Sequence, residues 1–269
     1  MTCRNLSKML ALLMATCISA PKLYAQCTLQ PDNCPVAVSD ATSLINCINA
    51  LQGGAGGVVD LNGLIITLTN FNNNLANGPN GLPIITKNIT IENGEIHRST
   101  AGGTPQFRFL EVTSSGTLSL CQVTLQNGFA ETGFNGGAIL VDSGGTIDSI
   151  DSSAFNSNIT DISTNNTLGG AIFFTRASLT TGISLSTFVA NQAVDGGAIY
   201  IEGSTFHNGS TTSGIDSCNF AGNSATANGG AIFITDISGS PPNEFPSAID
   251  RIVNSTFQNN KGLTAFAST

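Results

Sequence analysis

The stretch GGAIYIEGSTF, residues 196–206, carries a strand-like apolar run behind two glycines, the poorest strand formers after proline. The chain repeats this opening. GGAIL, GGAIF, GGAIY and GGAIF begin at Gly136, Gly169, Gly196 and Gly229, spaced 33, 27 and 33 residues apart, with Gly137, Gly170, Gly197 and Gly230 as the second glycines. Between them a second element recurs as IDSSAFNSN, ISLSTFVAN, IDSCNFAGN and IVNSTFQNN. Each has Ile five residues before a Phe, Ser or Cys two before it, and Asn three after it. The Phe row is Phe155, Phe188, Phe220 and Phe257; the Asn row is Asn158, Asn191, Asn223 and Asn260. LCQVTLQNG, residues 120–128, keeps the spacing with Leu125 in the Phe place.

Fixed internal spacing with variable loops is the signature of a solenoid. The repeats hold strand signals without helical periodicity, which excludes leucine-rich and helical repeats. What remains is a parallel β-helix, in which coils stack about 4.8 Å apart and equivalent residues lie above one another. Rows of Ile, Phe and amide-sharing Asn are then favourable. The glycine pair is predicted at the corner before each strand, where the backbone needs positive φ or close approach, with the following Ala leaving room for the next layer. The Asn after each Phe is predicted in a tight turn, where Asn tolerates the left-handed region.

The paired GGAI and FxxN motifs resemble those of the chlamydial polymorphic outer membrane proteins. SLINCINALQGGAGGVVDL, from Ser43, also looks like the opening of related bacterial surface β-helix proteins. The motif match covers residues 136–260. The resemblance implies a right-handed, single-stranded parallel β-helix passenger on the cell surface, acting in adhesion to a host-cell protein or glycan. Members of that family carry a C-terminal β-barrel. Here the sequence stops nine residues after FQNN, without alternating strands enough for a barrel. The expectation is secretion without an anchor, an outer-membrane anchor or partner encoded elsewhere, or a fragment of a longer gene.

Composition agrees with an exported domain. The 269 residues suffice for one domain with a sizeable core, and 41% apolar residues with a mean hydropathy of +0.17 exclude a disordered polymer. The formal net charge of −8 argues against nucleic acid as a partner. Arg4 and Lys8 followed by MLALLMATCISA, residues 9–20, read as a signal peptide over residues 1–25. Cutting after Ala25 leaves 6 basic against 17 acidic side chains. Cys27, Cys34, Cys47, Cys121 and Cys218 then remain, and the crowding of the first three predicts a disulfide between two of them. An odd count leaves a buried free thiol. Zinc is disfavoured, since CxxC is absent and His97 and His207 lack nearby ligands. No cofactor and no metal is implied.

Residues 26–38 form a Cys-containing segment and 39–269 the β-helix. Within it, Ser39 to Gly54 reads as a capping helix, with Ser39 or Asp40 as N-cap and Leu44, Ile45, Ile48 and Leu51 as its apolar face. Its role is to cover the first coil. Residues 55–134 read as irregular coils and 135–260 as the repeats.

Two outward features compete for function. Aligning the glycine pairs stacks Asp142, Thr175, Glu202 and Thr235, with Ser143, Arg176, Gly203 and Asp236 beside them. Asp142 and Glu202, two coils apart, would lie on the order of 10 Å from one another, near the separation in an inverting glycosidase. The competing reading is a solvated strand end of mixed charge, and no catalytic residue is assigned. Polysaccharide cleavage is the alternative function, and a structural envelope spacer a third. The second feature is the row Leu140, Phe173, Tyr200 and Phe233. Alternation with the inward Ile and Val141, Phe174, Ile201 and Ile234 sends it outward as a candidate binding stripe, unless loops cover it.

Overall fold

The computed structural model describes residues 27–164, 166–206, 214–237 and 246–262. Residues 1–26, with the expected signal peptide and Cys3 and Cys17, lie outside them, as do His207 and the last seven residues. The chain winds into a parallel β-helix whose coils pair in the register that the motifs dictate. Five parallel strands build the face that follows the glycine corners: Leu110–Val112, Ile139–Val141, Ile172–Thr175, Ile199–Glu202 and Ile232–Thr235. Ile139, Ile172, Ile199 and Ile232 are mutual neighbours in it. On a second face Leu125, Phe155, Phe188, Phe220 and Phe257 form one column. Their rings stack in parallel, with centroids 4.7, 4.8 and 4.8 Å apart from Phe155 to Phe257. That distance is the coil spacing itself.

Corners explain the small residues. Gly136, Gly169, Gly196 and Gly229 all have φ between 60° and 68°, the left-handed region. Each second glycine meets a different constraint. A Cβ on Gly170 would sit 2.2 Å from the carbonyl oxygen of Gly197 in the next coil, so the backbones touch where a side chain would stand. Both reasons foreseen for the glycine pair therefore apply. The first glycine of each pair needs the positive φ and also has backbone where a Cβ would stand, and the second has the close approach alone.

The asparagine row behaves differently from the expected turn. The left-handed residue is the one before it: Ser157, Ala190, Gly222 and Asn259. The asparagines instead turn their amides inward and form a ladder. Asn191 Nδ2 donates to the carbonyl of Phe155 (2.9 Å) and to Asn223 Oδ1 (2.9 Å), while its own Oδ1 accepts from the backbone N–H (3.0 Å) and Nδ2 (3.1 Å) of Asn158. The same contacts recur from Asn223 to Asn260. A hydroxyl row runs beside it: Ser153 Oγ accepts from Val123 N–H, and Ser186 Oγ from Ser153 N–H. Cys218 occupies one place in this row, its thiol donating to the carbonyl of Asp216.

The helix Ala41–Gln52 closes the N-terminal end. Asp40 caps it reciprocally with Ser43, and Gly53 ends it. Leu44, Cys47, Ile48 and Leu51 are buried against the first coil, with Ile45 half-buried beside them. The regular coil extends N-terminal to the motifs: Asn88–Arg98 pairs with Thr117–Gln126 over both of its straight segments. Among the described residues no helix is long and apolar enough to cross a membrane.

Two disulfides tie this end together: one is the bridge expected among Cys27, Cys34 and Cys47, and the other was not foreseen. Cys34 pairs with Cys47, but Cys27 pairs with Cys121, 94 residues away, because the N-terminal segment runs along the side of the coils and not over the helix. The Cys27 N–H donates to the Asp151 carboxylate at 2.5 Å, fixing that path. Cys218 is the free buried thiol among the described residues, and burial pushes its pKa up to about 12. Cross-link theory gives each bridge roughly 2–4 kcal/mol. Reducing agent is expected to lower the chemical-denaturation midpoint accordingly. Cys218 should resist iodoacetamide at neutral pH until the coil opens, which mass spectrometry would follow.

Candidate functional site

The face carrying the GGAI strands has two sides. Inward lie Ile139, Ile172 and Ile199 with Val141, Phe174 and Ile201, all in the main core. Outward lie Leu140, Phe173 and Tyr200, a second apolar cluster joined by the half-buried Phe233 and Leu168. Alternation therefore places the Leu140, Phe173, Tyr200, Phe233 row on the outer side. It is not an open stripe: Leu140, Phe173 and Tyr200 are only 5%, 5% and 7% exposed. The glycine corners fold back over it. A Cβ on Gly196 would lie 3.0 Å from Tyr200 Cβ, and one on Gly229 2.7 Å from Phe233 Cβ. Burial, with the carboxylates of Glu202 and Asp195, holds the Tyr200 phenol above its ordinary pKa.

One coil earlier the same outward column ends in a charge. Glu111 pairs with Leu140 and is 3% exposed. Above it pass two short antiparallel strands, Asn73–Leu75 and Gly78–Asn80. Glu111 Oε1 accepts from Asn77 Nδ2 (2.8 Å) and Oε2 from Asn80 Nδ2 (2.9 Å). The fully buried Arg108 has Nη1 4.0 Å from Glu111 and donates through Nη2 to the carbonyl of Asn77 at 2.5 Å. Its Nε has no partner among the described residues. Burial lowers the Arg108 pKa to about 10, partly offset by Glu111 and Asp142, so the guanidinium stays charged at neutral pH.

This network holds Asn77 at the edge of a shallow groove. Leu140 and Phe173 form its floor, Asp142 and Thr175 its rim, and the loops bearing Ala76, Asn77, Gly133, Phe134 and Asn135 its walls. The two loops interlock: the ring of Phe134 lies on Gly78, where a Cβ would meet it at 2.6 Å. Asp142 accepts from Asn77 Nδ2 at 3.1 Å and from the Ser143 N–H at 2.7 Å.

The charged column is as aligned, with one exception. Thr175, Glu202 and Thr235 are neighbours, and Asp142 follows Val141, the partner of Phe174. In the adjoining column, however, Gly144 and not Ser143 matches Arg176, since the first corner holds one extra residue; Gly144 N–H donates to the Arg176 carbonyl. Asp142 lines the groove, whereas Glu202 lies beyond Thr175 and does not. His97 is bound to Glu95 at 2.8 Å. Asp32 lies near Cys34 and Cys47, but those sulfurs are spent in a disulfide.

The Arg108, Glu111 and Asn77 assembly was not found from sequence. Its signal was present: Arg108 and Glu111 interrupt the apolar run FRFLEV at places a buried strand would fill with hydrophobic residues. Comparison of the chain with family models, curated proteins and solved structures finds no match.

Proposed function

We propose that this protein is an exported surface β-helix of the adhesin or passenger type, which binds through the groove on the outer side of its five-stranded face. The observation that carries this reading is the division of the two carboxylates. Asp142 alone of the two lines the groove, tied to an amide and a backbone N–H, while Glu202 stands two coils further on, beyond Thr175. A two-carboxylate hydrolase needs both groups facing one bond. A binding surface needs only a shaped floor and a few convergent polar atoms. The two disulfides support passage through an oxidising compartment.

The test is binding of the full chain to cultured epithelial cells, beside turnover of soluble polysaccharides. Thr175→Arg should fill the groove and weaken cell binding by about tenfold or more, one lost contact set at roughly 1.4 kcal/mol per decade. Circular dichroism should be unchanged, because residue 175 points outward. Asp142→Asn with Glu202→Gln should leave polymers as intact as they were with the parent protein. Undiminished cell binding by Thr175→Arg would sink the groove as binding site. Polymer cleavage by the parent that the double amide abolishes would replace adhesion with hydrolysis.

A further inference from the structure

The groove also specifies what it takes, on the reading that it is the binding site. Asn77 is half-buried at the surface, yet three buried residues fix it: Arg108 holds its carbonyl, Glu111 holds its amide nitrogen, and Asn80 holds Glu111. A buried ion pair of this kind contributes little net stability against an apolar replacement. Its effect here is orientation. Both amide hydrogens of Asn77 are directed to carboxylates, one to Glu111 and one to Asp142. Flipping the amide would set its oxygen against two anions, so the assignment is forced. Asn77 Oδ1 is thereby presented as an acceptor.

We propose that this groove binds a neutral, hydroxyl-rich saccharide, whose hydroxyls donate to Asn77 Oδ1 and the Asp142 carboxylate while its apolar ring face lies on the wall at Phe134. Three features select this class. No residue lining the groove is cationic, and the buried Arg108 behind it is already paired with Glu111, so a sulfate or uronate would enter beside Asp142 without a cation in contact. The formal net charge of −8 repels polyanions at longer range. The half-buried Phe134 ring, with Leu140 and Phe173 beneath, offers the apolar surface against which a sugar's C–H face packs. Hydroxyl donors meet acceptors already aimed at them, without reorganisation of the protein.

The experiment titrates the full chain with neutral oligosaccharides from mannan, galactan and glucan, with heparin oligosaccharides and oligogalacturonate, and with chitosan oligomers. Isothermal calorimetry reads binding, and competition reads cell attachment. A neutral oligosaccharide should bind and displace the protein from cells. Asn77→Ala should weaken it by about tenfold, the worth of one well-oriented hydrogen bond. Thr175→Arg should abolish it, independently of any effect that Asn77→Ala has on folding. Tighter binding of heparin or oligogalacturonate overturns the proposal, as does preference for chitosan, which would make the groove an amine site. If no neutral sugar binds although Thr175→Arg still abolishes cell attachment, the saccharide assignment falls and the groove remains a binding site. If Thr175→Arg changes neither readout, both fall.

Discussion

Phe220→Ala is expected to lower the unfolding free energy by about 3–5 kcal/mol, the cost of removing a large buried aromatic ring and leaving its cavity. Phe220 is fully buried and stacked on both sides, by Phe188 and Phe257 at 4.8 Å each. Loss of the ring breaks both stacks, and the coils cannot close the gap because their spacing is set by backbone hydrogen bonds above and below. The comparison is Phe257→Ala. That ring sits at the end of the column and is 39% exposed, with Phe220 as its stacking neighbour. Its removal should cost about half as much or less, since less area returns to water. Urea titration followed by circular dichroism gives both values; equal losses would mean that the column does not act as a buried stack.

Asn191→Ala should be comparably damaging, at about 3–5 kcal/mol, though it removes a small polar group. Its side chain makes four hydrogen bonds in a fully buried position. Truncation strands the N–H of Asn158 and takes a donor from the Phe155 carbonyl, at about 1–3 kcal/mol for each buried group left unsatisfied. The site is closed to solvent in the parent chain, Asn191 being 0% exposed. Asn191→Asp separates the two halves of the effect, keeping the acceptor and losing both donors. It should do no better than alanine, because it also places a carboxylate in the ladder facing Asn223 Oδ1. Asn260→Ala, at the accessible end of the row, should cost about 1 kcal/mol, since solvent can satisfy what it leaves. A denaturant series over Asn158, Asn191, Asn223 and Asn260 checks this, and a flat profile along the row would show that the amides are not coupled.

The parts of the fold legible in the sequence are those where one residue type is required at one place in every coil. The four GGAI starts, the Phe row and the Asn row gave architecture and register together, because stacking at a fixed spacing makes like residues meet. The capping helix was legible for the same local reason, an apolar face with Asp40 before it and glycines after. Less was legible where geometry depends on residues far apart. The Asn row was expected in the turn, but Ser157, Ala190 and Gly222 take the left-handed position, leaving the amides free to join coil to coil. Parity put Leu140, Phe173 and Tyr200 outward; only the fold shows that their own glycine corners close over them.

By itself, then, the sequence determined a parallel β-helix, its register and the side of the sheet on which each row lies, since periodicity is a local property that stacking only repeats. The tertiary structure decided the partner of Cys27, the burial of the aromatic row and the groove. Cys27 meets Cys121 across 94 residues, and Asn77, Arg108, Glu111 and Asp142 come from coils and loops with no common spacing. No periodic signal encodes such contacts. They exist because winding brings the hairpin at residues 73–80 over the one place where the outward apolar column gives way to a buried carboxylate.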